Sequence, residues 1–180
     1  MRIKVKRAVI FIHGYRTYKV RSVKSLNRKT KEIIRVLLWV FFIIYMVALT
    51  YFLFFSERFG RVMGGEYRYN LQLFHEIRRF IVYRREVGFT SFMINIVGNI
   101  VAFIPFGFIL PAISPRNRKF LNIALLSFEL TLSIELMQLV LQVGSFDVDD
   151  IIMNLTGGII GYIVFAIGHR CLIGFKKKGT

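Results

Sequence analysis

The sequence predicts an all-α membrane protein: a polytopic helical bundle of four transmembrane helices with a short interfacial helix and both termini in the cytoplasm. Apolar residues make up 55% of the 180-residue chain. They fall in long blocks instead of the alternation typical of a soluble domain. The basic residues give a formal net charge of +16 and crowd the ends of those blocks, where they respond to membrane topology and anionic lipid. This placement argues against nucleic acid as a partner.

The chain begins with a basic segment, residues 1–35, which carries twelve Lys or Arg and one acid, Glu32. The positive-inside rule places this segment in the cytoplasm. No cleavable signal peptide is expected, because only five apolar residues separate the basic start from His13. The first span is predicted at about residues 36–55, roughly the 20 apolar residues that ~30 Å of hydrocarbon requires.

Residues 56–86 form a polar connection that contains seven Arg and four Glu. Part of it has the pattern of a helix lying in the interface plane, with an apolar side and a polar side. The apolar side is Leu71, Phe74, Ile77 and Ile81, and the polar side is Gln72, Glu76, Arg79 and Tyr83. Its arginines can bind phosphate groups, but anchoring to lipid headgroups is the simpler interpretation.

Three further spans are predicted at about residues 89–113, 120–143 and 151–167. Pro105 and Pro111 are expected to bend or break the second span, because proline removes a backbone donor and clashes one turn back. Residues 36–175 then form one transmembrane domain, followed by a basic tail at 176–180. This arrangement places nineteen basic residues on the inner side and seven in the outer first loop, in agreement with the positive-inside rule.

Polar residues of the last three spans converge near the turn between the third and fourth. The candidate ligand-binding residues are Asn95, Asn99, Glu135, Gln138, Asp147, Asp149, Asp150 and Asn154. At a rise of ~1.5 Å per residue they fall within the outer leaflet, which predicts a polar pocket that opens outward. Ionisable groups are costly there and are functional-site hypotheses by default. The alternative is structural: the amides tie helices together and an aspartate caps a helix.

Two glycines and one acid stand apart from this group. The spacing Gly157-x-x-x-Gly161 predicts that another helix approaches the fourth span closely. Glu129 is predicted to lie nearer mid-membrane, about 120° around the third span from Glu135.

The chemistry of the acidic group leaves two hypotheses open. Asp147, Asp150 and Asn154 offer oxygen ligands for Mg²⁺ or Ca²⁺, although their spacing matches no EF-hand loop. Glu135 or Asp150 could act as a catalytic acid or base, but no His or Ser stands at helical spacing from them. The single cysteine, Cys171, excludes an internal disulfide. We therefore favour a non-enzymatic role that requires no cofactor.

Several motifs in order resemble the VanZ-like family of bacterial membrane proteins. They are Asn95-Ile96-Val97-Gly98-Asn99, Phe103-Ile104-Pro105-Phe106-Gly107, Glu135-Leu136-Met137-Gln138, Gly144-Ser145-Phe146-Asp147-Val148-Asp149-Asp150 and Asn154-Leu155-Thr156-Gly157-Gly158. The resemblance implies a multi-pass protein of the bacterial cytoplasmic membrane. The namesake of the family is associated with resistance to teicoplanin-type lipoglycopeptide antibiotics.

The expected function is to bind an envelope lipid or lipid-linked wall component at the outer leaflet, or to alter its display, so that a lipoglycopeptide engages the surface less well. The lipophilic anchor of the drug is an alternative ligand. One alternative function is a metal-assisted enzyme that modifies a lipid headgroup. Another is a transporter or flippase subunit, which with only four spans would need an oligomer or a partner.

Overall fold

The computed structural model describes residues 27–55 and 67–178. Three parts of the predicted organisation lie outside the described residues: residues 1–26 of the basic segment, residues 56–66 of the polar connection, and the last two residues of the tail. The helices are α1 (Arg28–Phe54), α2 (His75–Val82), α3 (Arg84–Val87), α4 (Phe89–Ile113), α5 (Phe120–Leu141) and α6 (Val148–Lys178). The strands are β1 (Arg68–Asn70) and β2 (Ser145–Asp147), and a 3-10 turn covers Pro115–Arg118.

Four of these helices, α1, α4, α5 and α6, are long and apolar enough to cross a membrane. The predicted multi-pass, all-α bundle is therefore confirmed. The bounds of α4 are those predicted, whereas α1 and α6 extend beyond the predicted hydrocarbon-spanning lengths. Helix α1 begins at Arg28 instead of about residue 36, with an Arg28–Glu32 ion pair of 3.1 Å in its first turns. In contrast, α5 ends at Leu141, because Gln142 takes a left-handed conformation with φ 54°.

Glycines bring α4 and α6 into backbone contact. A Cβ atom added to Gly157 would collide with the carbonyl oxygen of Ile100, and one added to Gly161 would collide with that of Ile104. The same holds on α4, where a Cβ at Gly107 would overlap the backbone of Gly158. The close approach predicted from the Gly157-x-x-x-Gly161 spacing is thus present, and α4 is the helix that makes it.

The prolines do not break α4. The expectation of a break at Pro105 or Pro111 is wrong, since both lie inside continuous helix. Carbonyl groups near them have other donors: the Tyr45 hydroxyl donates to the Ala102 oxygen at 2.8 Å, and Arg118 Nε donates to the Pro111 oxygen at 3.3 Å. These side-chain bonds tie α4 to α1 and to the turn that follows α4. The irregular part of α4 is instead a π-helical stretch, Met93–Gly98.

One end of the bundle carries the elements that connect α1 to α4 and α5 to α6, and we call it the acidic end after Asp147, Asp149 and Asp150. Here β1 and β2 pair in parallel, with Asn70 opposite Asp147. The sequence pattern did not predict this two-stranded sheet, because each strand has only three residues.

The short helix predicted in the polar connection is present at the acidic end as α2, but part of its predicted apolar side is wrong. The helix begins at His75, which leaves Leu71 and Phe74 outside it. Its buried apolar residue is Phe80, whereas Leu71, Phe74 and Ile81 are exposed.

Candidate functional site

Asp147 is the last residue of β2, directly before α6, and has polar contacts on three sides. Its backbone N–H donates to Glu135 Oε2 at 2.9 Å, and its own Oδ1 accepts the N–H of Asp149 at 2.8 Å. The Asn70 amide donates to both carboxylate oxygens, at 3.2 and 3.3 Å. Burial raises the pKa of the Asp147 carboxyl; the bonds from Asp149 and Asn70 oppose this, and the nearby Asp149 and Glu76 carboxylates add to it. Asp147 therefore joins α5, β1 and α6 at one point.

Asp149 caps a helix that is distant in sequence. Its side chain is fully buried, and its two oxygens accept the backbone N–H groups of Phe74 at 2.6 Å, Glu76 at 2.9 Å and Ile77 at 3.2 Å. These are the free donors at the start of α2, which has no capping side chain of its own. Asp149 thereby fixes α2 against the bundle.

Asp150 faces α4, where Asn99 Nδ2 donates to its Oδ1 at 2.7 Å. Asn95 lies one turn earlier, and its amide donates to the Ser91 carbonyl of its own helix at 2.8 Å. Both asparagines lie at or beside the π-helical stretch of α4. Stretches of this kind are frequent at functional sites.

The polar stripe of α5 is buried between helices. Thr131, Glu135 and Gln138 are each no more than 2% exposed. Asn154 Nδ2 of α6 donates to Thr131 Oγ1 at 2.9 Å, and Gln138 Nε2 donates to the Leu53 carbonyl of α1 at 3.0 Å. These contacts link α5 to α6 and to α1, as polar residues commonly do in membrane helix bundles.

A cavity of about 710 Å³ opens between α1, α2, α4 and α6. Its polar lining consists of Arg68, Asn70, Glu76, Arg79, Asn95, Asn99, Ser145, Asp147 and Asp150. Its other lining residues are Tyr45, Ala48, Leu49, Phe52, Leu53, Phe80, Ile94, Gly98, Ala102, Pro105 and Met153. The volume lies within the range of ~300–1,000 Å³ that is usual for small-molecule sites.

The charged lining of the cavity is confined to one end, and the deeper lining is apolar. The charged groups belong to β1, α2, β2 and the start of α6, all at the acidic end of the bundle. Along α4 the lining changes from Asn95 and Asn99 to Ala102 and then Pro105, a descent of ~15 Å at the helical rise. Tyr45 lies at the apolar depth, bonded to Ala102. The shape suits an amphiphile with a polar head and an apolar chain.

Comparison with known proteins assigns the family. The profile of one protein family, described as VanZ/LLP1, matches residues 42–169, well over half of the 180-residue chain. The chain belongs to the VanZ/LLP1 family. Protein VanZ of Enterococcus faecium is 26% identical over 96 residues, which cover 51% of this chain and 59% of that protein. No solved structure matches the chain significantly. Every residue that lines the cavity lies within the matched VanZ/LLP1 region.

The predicted site residues of this VanZ/LLP1 chain divide into two groups. Asn95, Asn99, Asp147 and Asp150 line the cavity. The other four candidates are not among its lining residues, and the contacts described above join each of them to another element of the bundle: Glu135, Gln138, Asp149 and Asn154. The structural interpretation of these four, as helix ties and a helix cap, agrees with their contacts.

The three candidate metal ligands bond to different partners. Asp147 accepts from Asn70, Asp150 accepts from Asn99, and Asn154 donates to Thr131. Among the described residues no three His, Cys, Asp or Glu side chains are grouped as a metal site. Binding of Mg²⁺ or Ca²⁺ at these residues stays a prediction.

Several lining residues were not predicted from the sequence. Arg68 and Asn70 lie on the three-residue strand β1, which has no recognisable pattern. Glu76 and Arg79 were placed on the polar side of the surface helix, yet they line the cavity as an ion pair of 2.8 Å. The amphipathic pattern of α2 was the sequence feature from which Glu76 and Arg79 could have been predicted as lining residues. The polar side of such a helix can face either water or a ligand.

Proposed function

We propose that this VanZ/LLP1 protein binds an envelope lipid or a lipid-linked wall component from the outer leaflet of the bacterial cytoplasmic membrane. The observation that supports this most strongly is the cavity, which has charged residues at its mouth and a lining that passes from polar to apolar along α4. The polar head of the ligand lies among Arg68, Arg79, Asn99 and Asp150. Its chain follows Ala102 and Pro105 toward Tyr45.

The orientation in this proposal follows from the charges. In the sequence, nineteen basic residues precede the first span, lie between the second and third spans or follow the fourth, against seven in the connection between the first two spans. By the positive-inside rule the acidic end then faces outward. The mouth of the cavity opens at the level of the outer headgroups, where lipid-linked wall components are displayed.

The consequence for the cell is a changed display of the bound lipid. A lipid whose head is held among the charged residues is less available to an agent that inserts beside it or binds it. A teicoplanin-type lipoglycopeptide therefore engages such a membrane less well. The lipophilic anchor of the drug is itself an amphiphile of suitable chemistry and is tested as a second ligand.

The test uses purified full-length protein in nanodiscs with three probes: phosphatidylglycerol, a polyprenyl-pyrophosphate-linked wall precursor and teicoplanin. Ala102→Trp places a large side chain in the cavity, because Ala102 lines it. Val101→Trp is the matched control, since Val101 is the next residue on the same helix and is exposed. We expect at least one probe to bind the wild type and Val101→Trp equally, and Ala102→Trp at least tenfold more weakly, equivalent to ~1.4 kcal/mol. Absence of binding by all three probes would refute the proposal.

The enzymatic alternative is tested with the same protein. Glu135 is 2% exposed and accepts the N–H of Asp147, which favours a structural role for it over acid or base catalysis. Asp150 lines the cavity and is the better placed candidate. An altered lipid profile on expression that is lost in Asp150→Asn, with binding retained, would replace the binding proposal with a headgroup-modifying enzyme.

A further inference from the structure

Glu129 lies near the middle of α5 with its side chain exposed. It is the tenth residue of the helix Phe120–Leu141, which places it ~14 Å from the start and ~18 Å from the end at the helical rise. Whichever way the bundle is oriented, this depth falls within the ~30 Å hydrocarbon layer. Glu129 is thus an acidic side chain on the outer surface of a membrane-spanning helix.

The carboxyl group of Glu129 has no partner within the described part of the chain. The Ser133 hydroxyl donates to the backbone carbonyl of Glu129 at 2.7 Å, a bond that does not involve the carboxyl group. The ion pairs of the described residues lie elsewhere, in α1 and α2. This contrasts with Glu135 two turns along, which is buried and bonded.

The residues around Glu129 form one outward stripe of α5, which we call the Glu129 stripe. It consists of Leu125, Glu129, Ser133, Leu136 and Val140, all exposed. The residues follow helical spacing and therefore share a face. The stripe contains no residue that lines the cavity. A small residue, Ser133, next to the acid allows another helix to approach.

An acidic group at this depth requires a partner, because acids within membrane spans almost always pair with another group or face a polar interior. The described spans of this chain offer no cation at the same level. Measured from the acidic end, Glu129 lies ~18 Å deep, whereas Arg35 of α1 lies ~28 Å deep and Arg170 of α6 ~33 Å deep. Neither α4 nor α5 contains a basic residue. A second copy that docked through the same stripe would therefore bring another acid to the contact, and no described span of a parallel copy carries a base at this depth.

We propose that the Glu129 stripe docks a transmembrane helix of a different polypeptide, which carries a Lys or Arg at mid-membrane depth. The cation of the partner bonds to the Glu129 carboxylate. The apolar residues of the stripe pack along the partner helix on both sides of that contact, and Ser133 leaves room for its backbone.

The test measures energy transfer in lipid vesicles between labelled full-length protein and a synthetic polyleucine transmembrane peptide. One peptide carries a single central Lys and the other only Leu. We expect the Lys peptide to bind the wild type about tenfold more tightly than the Leu peptide, equivalent to ~1.4 kcal/mol. In Glu129→Gln the preference is lost. Glu86→Gln, which removes an exposed acid outside the spans, keeps it.

A charge swap separates a specific contact from a folding defect. Glu129→Lys is expected to bind a peptide with a central Glu more tightly than the Lys peptide, which reverses the wild-type preference. Equal binding of the Lys and Leu peptides to the wild type would overturn the proposal. So would Glu129-dependent energy transfer between two labelled copies of the protein, because the stripe would then be a contact between copies of this chain.

Discussion

Asn70 and Asp147 are joined twice, although 77 residues separate them. Their backbones are opposite each other in the parallel register of β1 and β2, and the Asn70 amide donates to both oxygens of the Asp147 carboxylate. This relationship fixes the connection between the first two spans onto the turn between the last two. It also places Arg68 and Asn70 on the wall of the cavity.

The titration of Asp147 is the first prediction. Burial raises the pKa of this carboxyl above the ordinary value of 3.8, so the native protein takes up the proton at a higher pH than the unfolded chain does. The ionised form costs the native state stability at neutral pH, and this cost disappears as the pH falls through the window above 3.8. We expect the infrared band of the protonated carboxyl, isolated as the difference between wild type and Asp147→Asn, to appear with a midpoint above pH 3.8. A midpoint at or below that value would contradict the effect of burial.

Removing the cap of α2 is the second prediction. In Asp149→Ala the N–H groups of Phe74, Glu76 and Ile77 lose their acceptor. Loss of a helix cap costs ~0.5–2 kcal/mol, so these amides are expected to exchange hydrogen about tenfold faster. Amides in the centre of α5 serve as the internal control. Unchanged exchange at the three amides would show that α2 is held by other contacts.

The third prediction concerns the contact between α4 and α6. Gly157→Ala adds a methyl group where the Ile100 carbonyl already lies, and overpacking of this kind costs ~1–3 kcal/mol. Gly168→Ala is the matched control on the same helix, because a Cβ there meets nothing within 4 Å. We expect unfolding by SDS in mixed micelles to occur at a lower detergent fraction for Gly157→Ala and not for Gly168→Ala. Equal transitions in the two variants would argue against backbone contact at Gly157.

Two asparagines on α4 provide the fourth prediction. Asn99→Leu removes the donor to Asp150 at 2.7 Å, and loss of a donor to a partly buried carboxylate costs ~1–3 kcal/mol. Asn95→Leu loses only a bond within its own helix from an exposed side chain, which is worth ~0.5 kcal/mol or less. Thermal unfolding in detergent is expected to place the midpoint of Asn99→Leu below that of Asn95→Leu. The reverse order would indicate that Asp150 does not depend on Asn99.

The sequence predicted the features that repeat with a helical period. The four apolar blocks, the Gly157-x-x-x-Gly161 contact, and the placement of Asn95 and Asn99 one turn apart on the same helix all depend on local spacing, which a single sequence displays. The acids were predicted as a group, but their separate partners were not. Whether Asp149 contacts a ligand or the backbone of Phe74 depends on the position of the connection between the first two spans. No local sequence pattern predicts that position.

The same limit explains the missed part of the cavity. Arg68 and Asn70 gain their positions from a strand of three residues, which is stable only because β2 pairs with it. Pro105 shows the opposite error: proline disfavours a helix locally, but the continuous helix is retained in the packed bundle. Tertiary contacts decided both outcomes.

The cap that Asp149 places on α2 also has a consequence for biosynthesis. The donors at residues 74, 76 and 77 are synthesised some seventy residues before their acceptor, and a helix of eight residues is marginal on its own in water. Until the ribosome has produced the fourth span and the membrane has received it, the connection after the first span lacks the group that completes its helix. A nascent chain that stops before residue 149 therefore leaves the mouth of the cavity without this cap.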